Sequence, residues 1–335
     1  MTKKGNTMNT MNTMNTMRTP RQTGRLVIGL LMIAIGTSRA GRAAEPAKKP
    51  PAKPAAATVS GTMPGKVLVG GSHRVFILDP DGKVAWEHPA GLVHDAWMLP
   101  NGNVLFADGG TVSEVAPDHK VVFCYKAAEQ HGGGTYACQR LENGSTVIGE
   151  NSTGRVLEVD PAGKVVFSLQ TSPAKTGQHH NMRMVRKLDN GNYLVCHSGA
   201  HILKEYAPDG KVVLEIKTPN LAFAAIRTPQ KTTLVSTLNR VLEYDATGKV
   251  VWEFVNTDIE GVTITNMTGM HRLPDGNLAI GCYAAYKNGE GTGLLEITRQ
   301  RKLVWRYASV GQDGSMMAVQ CLTSDGKALP DKCLR

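Results

Sequence analysis

After residue 63 the chain alternates apolar and polar positions in short runs that break at Asp, Asn, Pro or Gly. "VFILDPDGKVAWEH" (75–88) shows the form: an apolar run, a tight turn, then a run of period two. Such a pair reads as a β-hairpin. The second half recurs as "DGKVAWEH", "DHKVVFCY", "AGKVVFSL", "DGKVVLEI", "TGKVVWEF" and "QRKLVWRY". Each has a lysine three residues before a large apolar residue. The lysines are Lys83, Lys120, Lys164, Lys211, Lys249 and Lys302; their partners are Trp86, Phe123, Phe167, Leu214, Trp252 and Trp305. A second turn lies between these motifs: "LPNGNVL" (99–105), "LENGSTV" (141–147), "LDNGNYL" (188–194) and "LPDGNLA" (273–279), with "TPQKTTLV" (228–235) as a worn copy.

Each unit therefore holds four short antiparallel strands, a to d, and helical periodicity is nearly absent. A self-similar unit of this kind is a β-propeller blade. Six d strands predict an all-β, six-bladed β-propeller with four antiparallel strands per blade. The first unit lacks strand a, because "KVLVGGS" (66–72) aligns with strand b. The C-terminal "MMAVQCL" (316–322) is expected to complete that blade and close the ring. Closure removes sheet edges that would otherwise pair with other chains.

The formal net charge of +10 changes little, because it is not spread over the fold. Residues 1–58 hold ten basic residues and one acidic residue of the 38 and 28 in the chain. The rest is nearly neutral, so no nucleic-acid partner is expected. "NTMNTMNTMNTM" (6–17) is a tandem repeat that places the expected start at Met17. Arg18, Arg21 and Arg25 then precede "LVIGLLMIAIG" (26–36) and small residues. Eleven apolar residues are too few to span a bilayer but fit a signal-peptide core. Residues 1–44 are read as leader and signal peptide, 45–63 as a Pro/Ala/Lys linker, and 64–335 as the propeller. The mature protein is expected to be periplasmic or extracellular, monomeric, and without a membrane span.

Of the six cysteines, Cys124, Cys138, Cys196, Cys282, Cys321 and Cys333, none forms a C-x-x-C pair. No zinc or redox motif is indicated. In an oxidising compartment Cys321 and Cys333 are the expected pair; Cys196 and Cys282 read equally as buried thiols.

The a–b and c–d turns are short and uniform. The connections on the other face are long and varied, as in "QTSPAKTGQHHN" (170–181) and "CYAAYKNGEGTG" (282–293). Variety marks that face as the binding face. Histidines agree: His73, His131, His179, His180, His197 and His201 fall in or beside those loops, and His94 opens a strand a. Strand a lines the central channel. Five residues before each turn anchor stand His94, Tyr136, Arg183, Phe223 and Thr268. The register predicts a polar cluster at the channel mouth: His94, Asp95, Tyr136, His180 and Arg183, with His271 deeper. Of the His179-His180 pair only one is expected to point inward, since strand neighbours face opposite ways.

Three chemistries fit that cluster. The imidazoles suit a divalent metal, with Asp95 as ligand or orienter. A histidine also suits a nucleophile or general base beside Arg183, which would hold an anion. Alternatively, these are channel-lining groups bonded to water and backbone.

"LEYDATGKVVWEF" (242–254) resembles the repeat of pyrroloquinoline-quinone-type propellers, whose d-strand tryptophan docks one blade on the next. That implies a structural role for Trp86, Trp252 and Trp305. A quinone cofactor is not expected, because the chain is too short for the eight-bladed dehydrogenases and lacks their adjacent Cys-Cys pair. "HDAWMLPNGNVL" (94–105) is similar to a strand of the arylsulfotransferase family, exported propellers that transfer sulfate through a central histidine. The match is to His94, Asp95 and their turn.

The reading is therefore an exported propeller that binds a small molecule, polysaccharide or protein on its varied face. The alternative is an enzyme with a central His/Arg site, arylsulfotransferase-like or a metal-dependent lyase or hydrolase. His94, Asp95, His180, Arg183 and His271 are the residues that would carry it.

Overall fold

The computed structural model describes residues 57–127, 133–174, 178–283, 291–309 and 315–329. The leader (1–44), linker residues 45–56, His131 and Cys333 lie outside them. All described residues fall in one compact unit, Ala52–Arg335.

The strands follow the repeat. β1 (Thr58–Gly61) comes first. The first blade takes β2 (Val67–Gly71), β3 (Arg74–Leu78) and β4 (Val84–Pro89). The second takes β5 (Asp95–Met98), β6 (Val104–Ala107), β7 (Thr111–Val115) and β8 (Val121–Lys126). The third takes β9 (Thr135–Arg140), β10 (Thr146–Glu150), β11 (Arg155–Val159) and β12 (Val165–Gln170). The fourth takes β13 (Met184–Lys187), β14 (Tyr193–His197), β15 (Ile202–Tyr206) and β16 (Val212–Lys217). The fifth takes β17 (Ala224–Arg227), β18 (Thr233–Ser236), β19 (Arg240–Tyr244) and β20 (Val250–Val255). The sixth takes β21 (Asn266–Arg272), β22 (Leu278–Tyr283), β23 (Gly291–Ile297) and β24 (Leu303–Ser309), and β25 (Met316–Cys321) ends the set. Six antiparallel sheets result, and a single 3-10 turn at Ser198–Ala200 is the one helical element among the described residues.

β25 pairs with β2, from Val67 opposite Cys321 to Gly71 opposite Met316. The last strand therefore completes the first blade. β1 was not expected. It lies inside the presumed linker and pairs with β24, from Thr58 opposite Ala308 to Gly61 opposite Trp305. The linker reading is thus corrected for residues 58–61. The outer edge of the sixth blade offers unpaired backbone groups, and β-favouring Thr58 and Val59 supply partners for them. The outer strands of other blades keep bare edges with exposed valine pairs such as Val121-Val122 and Val165-Val166. The lysine ahead of each pair discourages edge-to-edge association.

Turn chemistry sets the register. Gly102 and Gly191 sit at φ of +83° and +84°, the left-handed region where a side chain is strained. His119, Lys231 and Arg301 hold the same place in worn turns, at φ of +70°, +63° and +64°. Each costs about 1–2 kcal/mol relative to glycine's freedom. His119 is thereby a turn residue.

Two devices join neighbouring blades. The first is a buried glutamate on strand c. Glu114 accepts from Asn101 Nδ2 (3.2 Å) and Asn103 Nδ2 (2.6 Å) of its own a–b turn, and from Arg140 Nη2 (2.7 Å) of the next blade. Glu205 repeats this with Asn190, Asn192 and Arg227. The "LPNGN" and "LDNGN" turns are thus parts of an inter-blade clamp. The second device lies two residues before the turn anchor on strand a. There Trp97 Nε1 donates to Cys138 O (2.6 Å), and Gln139 Oε1 accepts from Lys187 N–H (2.8 Å). His271 Nδ1 accepts from Cys321 N–H (2.9 Å), and Gln320 Oε1 accepts from Met98 N–H (2.7 Å). Each side chain bonds to the inner-strand backbone of the following blade.

Of the three d-strand tryptophans, two dock on the next blade: Trp86 Nε1 donates to Pro117 O (3.1 Å) and Trp252 Nε1 to Arg299 O (2.9 Å). Trp305 donates instead to Glu296 Oε2 (2.6 Å) in its own blade, on the strand that β1 covers.

Cys196 and Cys282 are fully buried thiols in β14 and β22. Burial raises both, Cys282 to about 12. No disulfide forms among the described cysteines, and Cys333, the expected partner of Cys321, is not among them.

Candidate functional site

His94 stands immediately before β5, held by its N–H bond to Ala107 O (2.9 Å). Asp95 is the first strand residue, and the two side chains part. The His94 ring lies against the Tyr136 ring, with centroids 3.8 Å apart. The Asp95 carboxylate takes both ends of the Arg186 guanidinium, at 2.7 and 3.0 Å, and the backbone N–H of Cys138 at 3.0 Å. Asp95 and Arg186 are 5% and 8% exposed. Their bidentate pair, with Cys138, ties three blades together. Asp95 therefore does not orient His94 or act as a metal ligand, which corrects that expectation. The reason is alternation along the strand: the residue after His94 faces away from it.

Arg183 precedes β13, its N–H bonded to Cys196 O (3.0 Å). It is 9% exposed. Its guanidinium meets three imidazoles. Nη1 lies 3.2 Å from His94 Nδ1; Nη2 lies 3.1 Å from His179 Nε2 and 3.1 Å from His180 Nδ1. The guanidinium also stands over the Tyr136 ring at 4.6 Å and the Phe223 ring at 6.0 Å. Among the described residues no carboxylate pairs with it, and its buried Nε has no hydrogen-bond partner.

The predicted cluster is thus assembled, with two corrections. Both His179 and His180 reach Arg183, because they lie in a turn and strand alternation does not apply to them. His271 does not join the mouth. It is 1% exposed and belongs to the inter-blade series described above, where Gln139 and Gln320 are its equivalents. Counting its register back from Leu273 would have shown this. Arg186 was missed by sequence reasoning; the signal was that buried Asp95 needs a cation.

Chemistry follows from the donor set. Arginine has only donors, so each imidazole nitrogen facing Arg183 must be an acceptor. This assigns the tautomers. His94 and His180 carry their protons on Nε2, and His179 carries its proton on Nδ1, 2.8 Å from the Tyr136 hydroxyl. Burial, then the Arg183 charge, hold His94 well below the usual imidazole range. The same causes take His180 to about 4. Burial raises the Tyr136 hydroxyl and lowers Arg183.

The imidazole lone pairs point at a cation, which disfavours a metal ion. Among the described residues no group of three or more His, Cys, Asp or Glu is placed to hold one. Behind the cluster the channel holds a cavity of about 30 Å³, bounded by Arg183, Arg186, Phe223, Thr268, Met270 and Met317 among others. That admits one or two water-sized groups. The site thus combines a buried positive charge with N–H donors, in a space that takes only the end of a ligand.

No family model and no curated protein matches the chain. Solved structures do. A protein of unknown function from Bacteroides caccae is 21% identical, with a TM-score of 0.69, covering 76% of this chain and 98% of its own. A catalytically inactive histidine-to-alanine virginiamycin B lyase from Staphylococcus aureus, with quinupristin, is 12% identical (TM-score 0.52; 75% of this chain, 83% of that one). A streptogramin B lyase is 11% identical (TM-score 0.53; 77% and 84%). At these identities the likeness is one of propeller fold. Among the described residues no helix is long and apolar enough to cross a membrane.

Proposed function

We propose that this protein is an exported propeller that captures the anionic end of a small molecule or polysaccharide at its channel mouth. One observation carries the reading: Arg183 is a buried cation facing the mouth with no carboxylate partner among the described residues. A buried charge without a counter-ion is unfavourable unless something else pairs with it. Three imidazoles and two aromatic faces soften that cost but bring no negative charge. An oxyanion would complete the set, accepting from Arg183 and from the Nε2–H groups of His94 and His180. The small cavity, lined by His94 and Arg183, would take one oxygen of the charged end. His180, outside that lining, would meet the part of the anion at the mouth, and the body of the ligand would rest among the varied loops.

Titration calorimetry with sulfate, acetate and an acidic oligosaccharide tests this. Wild-type protein should bind at least one, and Arg183→Met should lose at least tenfold in affinity. Wild-type protein that binds none of the three would overturn it.

A second reading is favoured by the two depressed histidines. Neutral imidazoles suit proton abstraction from, or nucleophilic attack on, an anionic substrate that draws Arg183 away from their Nδ1 lone pairs. This would be the enzyme that the arylsulfotransferase resemblance implies, with His94 or His180 as the reacting base. An aryl sulfate turned over by wild type but not by His94→Asn, with sulfate binding retained, would favour it over simple capture.

A further inference from the structure

The geometry points to a deeper property of the same site, and rests on the anion reading. We propose that the mouth binds a doubly charged oxyanion together with a proton taken from solvent onto His180. The argument begins with the guanidinium contacts. His180 Nδ1 now accepts from Arg183 Nη2 at 3.1 Å, so that nitrogen cannot hold a proton while the contact lasts. An anion oxygen that takes over as acceptor of the Arg183 N–H releases the Nδ1 lone pair. The negative charge then favours protonation of the ring, and the new Nδ1–H joins Nε2–H as a second donor. One charge of the ligand is matched by Arg183 and the other by the imidazolium.

The groups facing His180 support this stoichiometry. From its own segment come Arg183 and the His179 ring, whose centroid is 4.3 Å away. From the second and third blades come His94 and Tyr136, which meet Arg183 and His179. Tyr283, at the end of β22, adds a weak influence on Arg183. Asp95 and Arg186 neutralise each other deeper in the channel. Among the described residues, no carboxylate is ion-paired with Arg183, and the loop carboxylate of Asp108 is taken up by the Gly91, Gly110 and Thr111 N–H groups. The lowered His180 value of about 4 is what the bound anion would raise.

His180 is also fixed in place. Its carbonyl accepts from Gly199 N–H at 2.8 Å, and a Cβ on Gly199 would come within 2.9 Å of the His180 Cβ. The ring is partly buried rather than enclosed, so solvent can deliver the proton.

The test uses the propeller with sulfate as probe, since sulfate carries two charges and does not titrate between pH 5 and 8. Calorimetry at pH 6 in buffers of different ionisation enthalpy reads protons taken up. The expected result is uptake approaching one proton per sulfate. Affinity should strengthen by up to about tenfold per pH unit as pH falls from 7 to 5. Singly charged methyl sulfate should bind more weakly and take up less. His180→Asn should bind sulfate with its proton uptake reduced by more than half. Sulfate binding with buffer-independent enthalpy and pH-independent affinity overturns this inference and leaves anion capture standing. Absence of sulfate binding at any of these pH values overturns this inference, and the capture reading then rests on acetate and the oligosaccharide.

Discussion

Arg183 and Arg186 are three residues apart on one segment, both nearly buried, and they live in opposite electrostatic worlds. Arg186 is bonded at both ends to Asp95 and stacks over the Trp97 ring at 4.9 Å. Arg183 has imidazole nitrogens where Arg186 has carboxylate oxygens. The first is a closed structural pair that ties three blades together. The second is an open positive charge on the varied face. Burial alone thus does not separate structure from function in this ring; the identity of the partner does.

Removing each arginine should therefore move stability in opposite directions. Arg186→Met takes the bidentate cation from the buried Asp95 carboxylate, and should destabilise the propeller by about 3–5 kcal/mol. Denaturant unfolding reads this directly, and a loss below about 1 kcal/mol would erase the distinction. Arg183→Met removes a buried, unpaired charge of similar length and should stabilise by about 1–2 kcal/mol in the absence of ligand. A clear loss of stability would mean that Arg183 has a structural partner after all.

The smallest effect is one of pH. The folded His180 value, about 4, lies below the unfolded value of about 6.5. The unfolded chain therefore binds more protons between these values, so stability falls as pH drops from about 6.5 to about 4 and levels below. Fully buried His197, also at about 4, adds to the slope through burial and independently of Arg183. In Arg183→Met the slope should become shallower without vanishing, because the guanidinium is one cause of the His94 and His180 shifts and burial is the other. An unchanged slope, measured by thermal unfolding across that range, would detach the histidines from Arg183.

The same contrast governs the glutamates. Glu114 and Glu205 meet Arg140 and Arg227 across blade seams, on the face of uniform turns. Glu158 and Glu243 meet Lys187 and Arg299 in the same way, whereas buried Glu296 takes neutral donors, Asn277 and Trp305. At the mouth the unmatched charge is positive and its neighbours are imidazoles and aromatic rings.

Local alternation, turn residues and the lysine repeat were enough to specify six hairpin-built blades and the C-terminal strand that closes the first. Those features depend on short-range backbone preferences and period-two burial, which are written in neighbouring residues. The convergence of His94, Tyr136 and Arg183 was also legible, because equal register on inner strands places residues at equal depth. Partner choice was not. Asp95 binds Arg186 across 91 positions of chain, and His271 binds the backbone of Cys321 across 50. Both His179 and His180 face Arg183 because a turn, not a strand, carries them. Such contacts form only when the ring closes and inner strands from different blades are brought side by side. Periodicity sets which face a side chain takes; only the packed ring decides which charge it meets there.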